Sequence, residues 1–108
     1  MTMRTATIDG HEIRTTARLH AQLAGQLAFP DYYGANFDAL YDVLTTIAEP
    51  VVIELSHISG LKKYLGEDFE RFLRVVEDAE SDNDNVQLVW IGGPSYSHTY
   101  QHFFRKRG

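Results

Sequence analysis

Hydrophobic and polar positions recur along this chain with two periods, and each period predicts an element. From Pro30 to Ile47 the sequence reads as a tight turn opening into an amphipathic helix. On a helical wheel at about 100° per residue, Phe37, Leu40, Val43, Leu44 and Ile47 share one broad face. Asp38, Asp42 and Thr45 fall opposite them, with Tyr41 on the border. Pro30 fixes the turn, Gly34 suits unusual backbone angles and Asn36 is fit to cap orphan amides. The helix is expected to end near Glu49-Pro50.

Elsewhere the pattern alternates between strand and helix. Met3 to Ile8 alternates Thr and Arg with small or apolar residues, a first strand, and Asp9-Gly10 turns the chain. Thr15 or Thr16 can cap a helix carrying Leu19, Leu23 and Leu27. Gly25 weakens its last turn, and the residue before Pro30 must leave helical geometry. Val51 to Leu55 is a short β-branched apolar run, which predicts a strand buried on both faces. A short helix is expected over 57–65. A longer one spans Gly66 to about Ser81, with Phe69, Phe72, Leu73 and Val76 at core spacing. Glu67, Asp68 and Glu70 suit its positive N-terminal end. Val86 to Ile91, with Trp90 as a core residue, forms a third strand closed by Gly92-Gly93-Pro94. Strands separated by helices predict an α/β fold with right-handed crossovers and a parallel sheet.

Charge changes this picture more than composition does. The chain has 108 residues, 44% hydrophobic and 23% charged, which suits one globular domain. It has no Cys, so disulfides, zinc–thiolate sites and cysteine catalysis are excluded. No apolar stretch approaches the roughly 18–20 residues that span a bilayer. A cytoplasmic monomer without membrane contact is expected. The net charge is −5, yet no Lys or Arg occurs between Arg18 and Lys62. Five acids, Glu77, Asp78, Glu80, Asp82 and Asp84, follow late in the chain without a base among them. Without Arg105, Lys106 and Arg107, seven basic side chains face fifteen acidic ones. Direct binding to nucleic acid is therefore not expected, and a basic partner is.

Two acidic groupings stand out as candidate surfaces. Asp38 and Asp42 sit at i and i+4 with no basic partner, which costs a helix roughly 0.2–0.5 kcal/mol. Tyr32, Asn36 and Tyr41 beside them combine rigid contact area with unpaired charge, as binding hot spots do. The acids from Glu77 to Asp84 oppose the dipole at the end of their helix, where Lys or Arg would be stabilising. A solvated helix face and a disordered acidic turn over 81–85 are the plainer accounts of the two groupings. Catalytic readings are weaker. Asp38 and Asp42 lack an apolar pocket to raise a carboxyl pKa, although they and a histidine could form a small hydrolase site. The serines lack a nucleophile-elbow context, and Gly92-Gly93 lacks phosphate-loop partners. His11, His20, His57, His98 and His102 offer no zinc spacing with a third ligand; His98 and His102 alone stand at i, i+4. Neither a metal nor a cofactor is expected.

The chain resembles the barstar family of intracellular ribonuclease inhibitors. The resemblance rests on Ile8-Asp9-Gly10, Ile13-Arg14 and Leu19-His20, then on the run from Phe29 to Leu44, and on Pro50 to Leu55. Its most specific part is Pro-x-Tyr-Tyr-Gly-x-Asn-x-Asp-Ala-Leu-x-Asp, and it extends from about Thr5 to Ile91. It implies a three-stranded parallel sheet, order 1-2-3, packed by three to four helices over residues 1–94. Residues 95–108, with Tyr96, Tyr100, Phe103 and Phe104, form an aromatic and basic extension without counterpart. The resemblance also implies a non-enzymatic role: sealing the active site of a basic bacterial ribonuclease, or serving as immunity module for a toxin nuclease or another protein. The implied partner-binding residues are Tyr32, Asn36, Phe37, Asp38, Tyr41, Asp42, Thr45, Asp78 and Asp82, with Asp42 entering where substrate phosphate sits. Tyr41 stands where the family commonly has Trp, and Asp78 and Asp82 are shorter than the family's glutamates.

Overall fold

The computed structural model describes residues 3–91 of the protein. The expected extension over 95–108, the strand-ending Gly92-Gly93-Pro94 and the pair His98 and His102 lie outside the described residues. Three strands and four helices follow one another as β1 (Arg4–Asp9), α1 (Thr16–Leu27), α2 (Phe37–Thr46), β2 (Val51–Ser56), α3 (Ile58–Leu65), α4 (Glu67–Asp82) and β3 (Val86–Ile91). The strands form one parallel sheet in the order β1-β2-β3. Ala6 lies beside Ile53, which lies beside Leu88, so the apolar positions of all three strands come into line.

That order has a consequence for the sheet's two faces. Two right-handed crossovers made in the same direction place all their helices on one side. Ala6, Ile8, Val51, Ile53, Leu55, Val86 and Leu88 accordingly point into the core, where they meet Leu19, Leu23, Leu40, Leu44, Phe69, Phe72 and Val76. The expectation that Val51–Leu55 is buried on both faces is corrected here. Burial alternates strictly along β2, leaving Val52, Glu54 and Ser56 half-exposed. The continuous apolar run satisfies one covered face, and no described helix lies over the other. Thr7 Oγ1 donates to Glu54 there at 3.2 Å, a polar contact between neighbouring strands.

The helix ends follow from local chemistry. Thr15, not Thr16, caps α1, accepting from the Arg18 amide at 3.0 Å. Thr16 instead donates to Asp68 at 2.7 Å, tying the start of α1 to the start of α4. Gly25 does not end α1 early; the helix runs on to Leu27 and stops at Ala28, whose φ of 57° is left-handed. The short helix expected over 57–65 is present as α3, with Leu61 and Leu65 buried. Gly66, also at φ 57°, turns the chain from α3 into α4. The expected apolar spacing of α4 is largely realised, with Phe69, Phe72 and Val76 buried and Leu73 half-buried.

Candidate functional site: an acidic face across two helices

The entry to α2 is built by the turn that precedes it. The Tyr33 amide donates to Pro30 O at 3.0 Å, closing the turn. Asn36 then caps the helix, its side-chain oxygen accepting from the Ala39 amide at 2.7 Å. The left-handed residue is Ala35, at φ 55°, rather than Gly34. A non-glycine residue in that region costs about 1–2 kcal/mol, so the surrounding contacts hold the turn in place. Those contacts come from the aromatic residues. Tyr33 reaches inward, its hydroxyl 2.5 Å from Nδ1 of the buried His20. Phe29 packs edge-on against the Tyr33 ring at 4.9 Å, and Phe37 lies 5.1 Å from the His20 ring. Burial pushes the Tyr33 phenol up to about 12. Burial also lowers the His20 pKa, partly offset by Asp68, so the imidazole is favoured as the neutral species. Tyr32 takes the opposite course and is 86% exposed. One tyrosine anchors the turn and the other is presented.

Along α2 the two faces separate as the wheel requires. Leu40 and Leu44 are buried, with Phe37 and Val43 half-buried beside them; the helix stops at Thr46, short of the expected end near Glu49, and the half-buried Ile47 follows it in extended geometry. Asp38 and Asp42 are exposed. Thr45 is half-buried and turns its hydroxyl back on its own helix, toward the carbonyls of Tyr41 at 2.9 Å and Asp42 at 3.2 Å. Phe37 and Thr45 therefore stand at the margin of this face, Phe37 on its core side.

The two acidic groupings of the sequence converge in space because α2 packs against α4. The Tyr41 hydroxyl donates to the Asp82 carboxylate. That bond is the first cause of an elevated Tyr41 pKa, followed by desolvation and then by the fields of Asp82, Asp78 and Asp42. Tyr41 is thus the point where the acids of both helices meet. Among the described residues the ion pairs are those of Asp9 with His57 and of Arg71 with Glu67 and Asp68. None involves Asp38, Asp42, Asp78 or Asp82.

One acid leaves the surface set. Glu80 is 3% exposed, and its carboxylate accepts from the Leu88 amide of β3 at 3.1 Å. It is a buried tie between helix and sheet, whereas Asp78, Asp82 and Asp84 are exposed. The turn over 81–85 is also ordered by hydrogen bonds rather than slack. The Asn83 amide nitrogen donates to Leu44 O at 2.9 Å and Ile47 O at 3.0 Å, and Asn85 donates to Ile47 O at 3.2 Å. Asn83 thereby clips the end of α4 to the last turn of α2 and fixes the spacing of the two acidic groups. Sequence reading missed it, because an Asn in a run of Asp and Ser carries no mark of a contact 36 residues away.

The comparisons with known proteins agree with this architecture. The family model described as Barstar (barnase inhibitor) matches residues 3–91. A curated protein of Bacillus subtilis (strain 168), named "Putative ribonuclease inhibitor YrdF", is 36% identical over 89 residues, covering 81% of this chain and 98% of that protein. The match takes in the parallel sheet in order β1-β2-β3, the entry turn at Pro30–Asn36 and the α2–α4 pair alike. With fold, motif and family model coinciding over the described residues, the chain belongs to the barstar family.

Proposed function

We propose that this protein inhibits a ribonuclease by laying the acidic face of α2 and α4 into the enzyme's cationic active site. The observation that carries the reading is a set of exposed acids, Asp38, Asp42, Asp78 and Asp82, that form no ion pair among the described residues and gather around Tyr41 on two packed helices. A ribonuclease must hold phosphate, so its cleft is a preformed anion site lined by Arg, Lys and His. A carboxylate on a helix occupies such a site through charge-assisted hydrogen bonds and surrenders little conformational entropy on docking. Asp42 takes the phosphate position, Asp38 pairs with basic groups at the cleft edge, and Tyr32, Asn36 and Tyr41 supply contact around them. Phe37 and Thr45 border the contact, and Asp78 and Asp82 widen it. Family membership and the name of the Bacillus subtilis relative support this choice of partner. The reading is of a binding protein, not an enzyme, acting in the cytoplasm as a monomer without a cofactor.

The test is the affinity for a basic bacterial ribonuclease that the wild-type chain inhibits. Asp42→Ala is expected to weaken the complex by at least about 2 kcal/mol, a loss of roughly thirtyfold or more, because basic groups buried in the contact would lose their partner. The association rate should fall as salt is raised, since the wider acidic field steers the encounter. A change below threefold for Asp42→Ala would remove Asp42 from the phosphate position. Inhibition left intact by simultaneous neutralisation of Asp38, Asp42, Asp78 and Asp82 would refute the surface altogether.

A further inference from the structure

Away from the acidic face, the carboxyl ends of β1 and β2 bring Asp9 and His11 together with His57, which lies far from both in sequence. Asp9 and Ser56 are partners across the two strands, and the Gly10 amide donates to Ser56 O at 2.9 Å, carrying the pairing one residue further. The turn after β1 and the turn after β2 then touch backbone to backbone. A Cβ at Gly10 would lie 1.8 Å from His57 O, and one at Gly60 would lie 2.4 Å from Gly10 O, so neither glycine can carry a side chain there. His57 is held in a left-handed conformation, φ 51° and ψ 55°, at the start of α3. This packing stacks the rings of His11 and His57, centroids 3.6 Å apart and planes within 18°. One oxygen of Asp9 accepts from the His11 amide at 2.8 Å and lies 2.7 Å from His57 Nδ1.

We propose that Asp9, His11 and His57 form a binding site for a divalent transition-metal ion of borderline softness, such as zinc, nickel or copper. One ligand atom from each lies within 4.8 Å of the other two. Ligands about 2.0–2.2 Å from a shared ion stand roughly 3.4 Å apart in a tetrahedron, so closure asks for a modest inward movement. Imidazole lone pairs lie in the ring plane, and the two rings must turn out of their stack to converge on one ion. Both rings are at the surface, where rotation meets little obstruction and an ion can enter. Two imidazoles and a carboxylate favour borderline ions over magnesium or calcium, which prefer all-oxygen shells. The ion would join the β1–α1 turn to the β2–α3 turn and leave a coordination position open to water.

The experiment uses the full chain after chelation, titrated with zinc chloride and, as control, magnesium chloride. His98 and His102 are an alternative pair of ligands in the same chain, so His98→Gln/His102→Gln serves as a second background. Calorimetry should show one equivalent of zinc bound in both backgrounds, with a rise in melting temperature that magnesium does not produce. His11→Gln should weaken zinc binding at least tenfold and abolish that rise. His11 sits in an exposed turn, so this variant keeps the fold; His57→Asn, which tolerates the left-handed backbone, should behave alike. Absence of saturable zinc binding overturns the proposal. So does zinc binding that survives His11→Gln and His57→Asn unchanged, or that disappears with His98 and His102 alone.

Discussion

Gly25 lies in the interior of α1, and a Cβ built on its backbone meets nothing within 4 Å. The residue contributes flexibility to the unfolded chain and no contact to the folded one. Gly25→Ala is therefore expected to stabilise the protein by about 0.8–1 kcal/mol, read as a higher urea midpoint with an unchanged slope. Ala28 and Ala35 present the opposite case, since both adopt left-handed angles that glycine would take without strain. At Ala35 the strained turn sits between the exposed Tyr32 and the capping Asn36, so the cost falls where the acidic face begins. Asn36, Tyr33 and Phe37 meet it from three sides, with a cap, a hydrogen bond to His20 and a ring contact.

At the scale of elements, the acidic face exists only because α2 and α4 are held in one relation. Tyr41 with Asp82 and Asn83 with the carbonyls of Leu44 and Ile47 are the polar ties between them. Asn83→Ala should cost about 1–2 kcal/mol in thermal or urea unfolding, because Leu44 O loses a half-buried donor while Ile47 O keeps Asn85. The same substitution loosens Asp78 and Asp82 relative to Asp42. Glu80 shows how finely an amphipathic helix sorts its acids. It lies two residues from both Asp78 and Asp82, yet it faces β3 and satisfies the Leu88 amide.

Across the whole molecule, titration behaviour follows from which groups the fold buries. His20 has its pKa lowered from 6.5 by burial, so below about pH 6.5 the unfolded chain takes up a proton that the folded one resists. Stability should fall as pH drops from 7 toward 5, and His20→Gln should flatten that part of the profile. Asp9 is held low chiefly by the His11 amide, and Asp68 chiefly by Thr16, so a second loss follows below about 3.8 as the unfolded carboxylates protonate first. At the alkaline end the unfolded Tyr33 ionises near 10 while the folded one keeps its proton to about 12, and stability declines through that window. Unfolding midpoints measured across the pH range check all three limbs; a profile level between pH 5 and 7 would contradict the His20 assignment. Among the described residues no helix is long and apolar enough to cross a membrane.

The sequence by itself determined the order of strands and helices, because periodicity, caps and proline act over a few residues and leave their mark locally. It also placed Asp38 and Asp42 on an outer face, and the Pro30–Asp42 motif carried the family. Tertiary structure alone decided the rest. It opened one face of β2, put the left-handed turn on Ala35, drew Glu80 inside and tied Asn83 to α2. It also set His11 against His57, 46 residues apart. Each of these depends on how parallel strands register and on which side their crossovers fall, and such long-range geometry is written in no single stretch of the chain.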